Sequence, residues 1–308
     1  MILYDQCPAC AHGDIAPLFP VTDYTVSRES FVIWECAHCT LRFTQGVPGE
    51  SDIGPYYRSD SYISHTDTSK GLINRVYHRV RRHTLAQKKK LVVSVTGKRT
   101  GALLDLGAGT GAFLGAMQEA GWKVTGLEPD PAAREKASSL YGLHLGDTEE
   151  LFSLPEHSMD AVTLWHVLEH VHRLHACLDR LRSVLVPGGR LLLAVPNYRS
   201  YDQEVYGPFW AAYDVPRHLY HFSPAAMKTL LASHGLTVLA MRPMWYDSFY
   251  VSMLSEQYKT GRSHYLRAWY NGAVSNWKAI RDTGKCSSVI YVVARDADVP
   301  APGSTASS

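Results

Sequence analysis

The sequence predicts an α/β protein, a mostly parallel sheet covered by helices on both faces, with a small cysteine-bearing module ahead of it. Strand-sized apolar runs alternate with helix-sized segments between Ala102 and Arg295, the pattern of βαβ units. The run DLGAGTG, Asp105 to Gly111, falls where the first of these strands meets the first helix. Two Cys-x-x-Cys pairs, Cys7/Cys10 and Cys36/Cys39, lie near the N-terminus.

A length of 308 residues, set against roughly 100–200 per domain, fits one large domain with a smaller companion. With 45% hydrophobic and 19% charged residues, the chain reads as globular rather than disordered. A net charge of +2 and a pI of 8.2 fall short of the pI above ~9 that marks a nucleic-acid footprint. A small-molecule partner is therefore expected, and no nucleic acid. No apolar run approaches the ~18 residues of a membrane span, and MILYDQCPAC does not read as a signal peptide. A cytoplasmic protein is expected, and nothing in the sequence indicates its oligomeric state.

Residues 1–48 read as a zinc-ribbon-like module. Each Cys pair sits on a tight turn, the run FVIWE supplies a strand, and four thiolates close a tetrahedral, structural zinc site. Disulfides are not expected in a reducing compartment. Residues 49–98 read as a linker and helical cap, in which Leu72, Val76 and Val80 recur every four residues. Arg79, Arg81, Arg82 and Lys88 to Lys90 form a basic face, either solvated or attracting a phosphorylated acceptor. Residues 99–297 form the main domain. Its strands are ALLDL, KVTGLE, LHL, AVTLW, RLLLAV, LTVLAM and SVIYVVAR. Ser223-Pro224 opens a helix as N-cap and first-turn residue. A Tyr/Trp-rich helical insertion is expected at about 246–285, and residues 298–308 read as a disordered tail.

Glycines at a strand-to-helix turn let the backbone approach a ligand and aim free N–H groups at it. Gly107, Gly109 and Ala112 also satisfy the dinucleotide pattern G-x-G-x-x-G/A, so the glycines alone leave a nicotinamide enzyme open. Asp105, two residues before the first glycine, suits a ligand's positive amino group better than a pyrophosphate. Glu128 ends the next strand, placed for ribose hydroxyls.

The fourth strand runs into TLWHVLEH, and VPGGRLLLAVPN introduces the fifth. With Asp105 and Glu128, this ordered set resembles the large Rossmann-like family of S-adenosylmethionine-dependent methyltransferases. The resemblance implies a seven-stranded sheet, its last strand antiparallel. It also implies that Asp105, Gly107, Ala108, Gly109 and Gly111 surround the methionine part of the cofactor, and that Glu128, followed by Pro129, binds the ribose. Asp147 lies near the adenine or is a surface turn residue, and His166 and Leu168 pass close to the methyl donor.

A sulfonium needs an aligned nucleophile and exclusion of water. A hydroxyl acceptor also needs a base, worth about 10²–10⁴-fold. The candidates are His166, His170, His218 and His221, with His166 foremost. The stretch DVPRHLYHFSP, Asp214 to Pro224, resembles a subset acting on secondary metabolites or cell-surface saccharides, which implies a lid over the pocket. There Arg217 clamps an anionic acceptor group, or ties the loop together with Asp214, and Trp210 and Tyr213 stack on a ring. Methyl transfer to a hydroxyl of a saccharide or secondary metabolite is the expectation. The alternatives are C-methylation of a nucleotide-linked keto sugar, suggested by the zinc module, and a non-catalytic cofactor-binding scaffold.

Overall fold

The computed structural model describes residues 1–57, 72–262 and 264–299. The middle of the expected linker, and the expected tail from residue 300 on, lie outside the described residues.

In chain order the N-terminal segment gives β1 (Ile15–Thr22), β2 (Ser30–Cys36) and β3 (Arg42–Gln45). The long helix α1 (Leu72–Thr96) leads into β4 (Ala102–Leu106), α2 (Ala112–Glu119), β5 (Lys123–Leu127) and α3 (Pro131–Tyr141). There follow β6 (Met159–Trp165), α4 (Leu174–Val184), β7 (Leu185–Pro196), α5 (Tyr201–Tyr206) and β8 (Tyr220–His221). The chain continues through α6 (Pro224–Ala232), β9 (Leu236–Pro243), the helices α7 (Asp247–Thr260) and α8 (Tyr265–Arg281), and β10 (Ser288–Arg295). Local chemistry sets the helix ends. Asp130 caps α3 by accepting from Ala132 N–H, Pro131 opens it, and left-handed Gly142 closes it. Ser223 and Pro224 do the same for the start of α6.

The main sheet has the order β5-β4-β6-β7-β10-β9. Strands β5, β4, β6 and β7 run parallel, and β10 is antiparallel to both its neighbours. Among the described residues the sheet has six strands rather than the expected seven, because LHL does not form a ladder. Only Gly146 bridges β5, at Leu127, through Gly146 N–H to Gly126 O and Glu128 N–H to Gly146 O. The chain leaves Gly142 and reaches the capped turn at Asp147 too soon to pair further.

Alternation along the strands divides the core. Leu103, Ala161 and Leu192 join Val92, Phe113, Leu114 and Met117 on one face. Leu104, Leu106, Val162, Leu164, Leu191 and Leu193 face the other way, against Leu178, Leu181, Met227 and Leu230. Full burial of one such side chain contributes about 1.5–3 kcal/mol.

The N-terminal segment is not a detached module. Its sheet runs β1-β2-β3-β8, so the fourth strand comes from the crossover after β7, with Arg42 opposite His221 and Phe43 opposite Tyr220. Leu219 N–H donates to Glu169 O, and Leu219 O accepts from Thr44 N–H. One residue thus links the turn after β6 to β3. The four cysteines cluster with ligand atoms within 4.8 Å of one another. The sulfur separations, 3.5 Å for Cys7 to Cys39 and 3.7 Å for Cys10 to Cys36, fit the roughly 3.8 Å edge of a tetrahedron with ~2.3 Å metal–sulfur bonds.

Arg217 fastens this junction. It is 1% exposed, and its guanidinium donates to Asp214 at 2.6 and 3.0 Å, to Asp23 at 2.9 Å and to Tyr56 O at 2.8 Å. Arg217→Met leaves Asp23 and Asp214 without their cation, and breaking such a buried pair costs about 3–5 kcal/mol. A urea melt should show that loss, and Asp23→Asn added to Arg217→Met should recover part of it. Unchanged stability in the single variant would contradict the tie.

Candidate cofactor and acceptor site

The first half of the site is built on the turn between β4 and α2. Gly107, Gly109 and Gly111 have φ of 71°, 55° and 76°, a region that favours glycine. At Gly107 a Cβ would run into the side chain of Val167, whereas at Gly109 it would meet nothing within 4 Å. The turn is pulled over the end of β5 by Gly107 N–H and Ala108 N–H, both donating to Leu127 O. Glu128 holds it from the side, its carboxylate accepting from Gly109 N–H at 2.7 Å and from Asp130 N–H at 3.1 Å. Each oxygen keeps lone-pair capacity for a further donor such as a ribose hydroxyl. Burial raises the Glu128 pKa against those two N–H groups.

Asp105 is buried at the end of β4 and accepts from Thr163 Oγ1 at 2.5 Å. Burial pushes its carboxyl up to about 7, opposed by the Thr163 hydroxyl and by Lys88 and reinforced by Glu128. A buried carboxylate so short of positive charge suits an ammonium group. With the glycine turn and Glu128, it fits the amino acid and ribose parts of an aminoacyl nucleoside. Pro129 follows Glu128, its carbonyl accepting from Arg134. Asp147 caps the short turn at Thr148–Ser153 and pairs with Arg134 at 3.1 Å. Its half-exposed carboxylate is committed to that cap.

The second half lies where β6 ends. His166 has a left-handed φ of 60°, rare outside glycine and frequent at functional sites. Its Nε2 lies 2.9 Å from Asp247 on α7 and its Nδ1 3.4 Å from Glu169. Burial disfavours its charge, but Asp247 and Glu169 outweigh burial and lift its pKa to about 10. It is therefore an imidazolium at neutral pH, with no lone pair for a substrate proton. Leu168 is fully buried in the core. His170 stays neutral, held down to about 4 by burial and by His218. His170 Nδ1 is 3.0 Å from Arg217 O, His218 Nδ1 is 2.9 Å from Ala212 O, and His221 Nε2 meets Thr44 Oγ1 at 3.0 Å.

The residues expected to hold the acceptor are packed between the crossover and the N-terminal sheet, where Trp210 and Arg217 line a small cavity with Asp23 and Tyr258. Trp210 and Tyr213 are buried. The Trp210 indole N–H donates to Asp202 at 2.7 Å, and the Tyr213 hydroxyl accepts from Arg42 at 3.0 Å. Arg217 spends its donors on Asp23, Asp214 and Tyr56, as described above. The structure thus brings Asp105, the glycines and Glu128 together, and gathers His166, His170 and His218 around Glu169. It places Trp210, Tyr213, Arg217 and His221 in the packing between crossover and N-terminal sheet.

Four participants escaped the sequence reading. Lys88, one of the basic run on α1, lies 4.2 Å from the Trp165 ring and feels both Asp105 and Asp247. Thr163 is a polar residue in a buried strand, a signal the sequence does carry. Glu169 sat unassigned within VLEH, and Asp247 lies 81 residues from its partner His166.

The sequence profile of the methyltransferase-domain family matches residues 77–241. The chain is 29% identical over 180 residues to the ubiquinone biosynthesis O-methyltransferase of Xanthomonas axonopodis pv. citri (strain 306), covering 54% of this chain and 75% of that protein. It is 26% identical over 234 residues to the demethylmenaquinone methyltransferase of Tropheryma whipplei (strain Twist), covering 70% and 93%. The fold is similar to that of the geranyl diphosphate C-methyltransferase of Streptomyces coelicolor A3(2), solved with Mg2+, geranyl diphosphate and S-adenosyl-L-homocysteine. That similarity has a TM-score of 0.51 at 16% identity, over 76% of this chain and 87% of the other.

Because Asp105 in the ligand-free protein takes up a proton below about pH 7, and a cationic amino group requires the ionised form, S-adenosylmethionine binding should weaken with falling pH. The slope below 7 should approach roughly tenfold per unit and level off above it. Calorimetric titration should find Asp105→Asn weak and nearly independent of pH. A flat wild-type profile would remove Asp105 from the cofactor's amino group.

Proposed function

We infer the acceptor from one established premise: the chain belongs to the methyltransferase-domain family and is an S-adenosylmethionine-dependent methyltransferase. The methyl group goes to a hydroxyl oxygen of a small molecule, a saccharide or secondary metabolite. The observation that carries this reading is the cluster Glu169, His170 and His218 at the β6 exit. It is a group of proton acceptors two residues from Val167, whose side chain abuts Gly107 of the cofactor turn. The relative named as a ubiquinone biosynthesis O-methyltransferase supports the same choice.

When bound, S-adenosylmethionine supplies an electrophilic methyl group on a sulfonium. Asp105 takes the ammonium end, Glu128 the ribose, and the glycine turn the close backbone approach. His166 acts as a positioning residue: its charge ties Asp247, and so the start of α7, to Glu169. His170, neutral and partly exposed, is the residue that meets the acceptor hydroxyl. The roof of β3, β8 and the Arg217 tie keeps water away. Zinc on Cys7, Cys10, Cys36 and Cys39 is structural, a staple for a segment too small to hold itself together.

Supplying carbon-13 methyl-labelled cofactor with a panel of hydroxylated and keto-sugar acceptors separates the readings by NMR. An O-methyl resonance in the product, lost by about 10²-fold or more in His170→Ala with cofactor affinity unchanged, is expected. A C-methyl resonance would transfer the assignment to carbon.

A further inference from the structure

Glu169, His170 and His218 have a property that acceptance of a proton does not explain. A carboxylate oxygen of Glu169 and one ring nitrogen from each histidine lie within 4.8 Å of one another. Two of the residues are adjacent on the turn after β6. The third arrives from the crossover, brought in by the Leu219 N–H bond to Glu169 O.

Glu169 is fully buried, and among the described residues neither of its carboxylate oxygens has a hydrogen-bond partner. The nearest cation, His166 Nδ1, stands at 3.4 Å without the geometry of a bond. With one imidazolium at 3.4 Å, shared with Asp247, and no hydrogen bond, the buried carboxylate is left short of partners, and a second cation would complete its surroundings.

The two rings are turned the same way. His170 Nδ1 faces the carbonyl of Arg217 at 3.0 Å, with the Tyr57 hydroxyl also 3.0 Å away, and His218 Nδ1 faces the carbonyl of Ala212 at 2.9 Å. A carbonyl only accepts, so each Nδ1 carries a proton and Nε2 is the nitrogen left to ligate a metal; that of His218 also lies 3.9 Å from an Asp214 oxygen. Metal-ligating histidines are oriented by this device. His170 remains partly exposed, which leaves the cluster a route to solvent.

We propose that Glu169, His170 and His218 bind a first-row divalent transition ion through one carboxylate oxygen and two imidazole Nε2 atoms, and that its open positions take the acceptor oxygens. Two imidazoles with one carboxylate favour manganese, iron, cobalt or zinc over magnesium or calcium, which prefer all-oxygen sites. The ion and Glu169 together carry one positive charge, so the acceptor hydroxyl binds as its conjugate base and its proton leaves to water. An oxygen lone pair then forms the C–O bond, and the C–S pair stays on sulfur as a neutral thioether. Acceptors with two neighbouring oxygens, vicinal diols or catechols, are the class that such a site chelates. With the ion bound, His170 meets the acceptor hydroxyl through the metal rather than as its base; this catalytic half rests on the oxygen-acceptor reading, and the ion site itself does not.

The test uses the full chain with its cysteine site loaded with zinc, titrated with cobalt(II) and manganese(II) by calorimetry and visible absorption. One further equivalent is expected, its cobalt spectrum showing nitrogen and oxygen ligation without a thiolate charge-transfer band. Glu169→Gln and His218→Ala should each weaken it by at least about a hundredfold. Glu169→Gln also removes one of the two carboxylates that flank His166, so its thermal melt and cofactor affinity are read beside the titration, and the loss of ion binding must appear in His218→Ala as well. Absence of the second equivalent at millimolar metal, or binding indifferent to both variants, overturns the proposal. Methylation of hydroxyls without the ion overturns it too while leaving the function in place. Ion binding without transfer to any hydroxylated acceptor supports the ion site and removes the oxygen-acceptor reading.

Discussion

The backbone of Leu219 is hydrogen-bonded on both sides, its N–H donating to Glu169 O at the edge of the main sheet and its C=O accepting from Thr44 N–H on the N-terminal sheet. Much of the site's geometry depends on that bridge. It sets His218 beside Glu169, aligns Tyr220 and His221 as a fourth strand against β3, and lets Arg217 reach Asp23 across 194 residues of sequence. The segment holding the four cysteines is thereby joined through Leu219 to the turn that carries Glu169. Cys7, Cys36, Cys39 and Phe43 share one hydrophobic core with Leu104, Leu164 and Met227 of the main domain, while Ile33 and Phe31 pack on Trp210 and Tyr213.

Charge sorts the histidines that the crossover and β6 bring together. His166 lies between two carboxylates and is charged, while His170 lies next to another histidine and a carbonyl and is neutral. The residue leaving the strand most directly is thus the poorest proton acceptor. Asp247 comes from the helical insertion and Glu169 from the turn itself, so a substitution in either alters the charge state of a residue on the main sheet.

The parts legible in the sequence are those whose physics is local. The glycine turn, Asp105 before it, Glu128 at the next strand end, the Asp130 and Ser223 caps and the paired cysteines each follow from neighbours in the chain. The antiparallel last strand came from resemblance to a family. Long-range pairing was not legible. LHL has the composition of a strand, but only Gly146 reaches β5. YH at 220–221 is too short to announce itself as a strand, and its partner lies on β3. Lys88 read as one more solvated cation until its helix was laid over Trp165. The roles expected of Arg217, Trp210 and Tyr213 depended on which side of the crossover faces the core. Periodicity cannot supply that in a segment of short turns.

The central claim, that the N-terminal cysteine segment and the crossover are one structural unit over the active site, is tested most directly by amide hydrogen exchange before and after chelation of the metal proposed at the four cysteines. Loss of protection should extend from β3 to Leu219, Tyr220 and His221 while β4, β6 and β7 remain protected. Protection at 219–221 that survives chelation, with the cysteine segment itself exchanging freely, would contradict it.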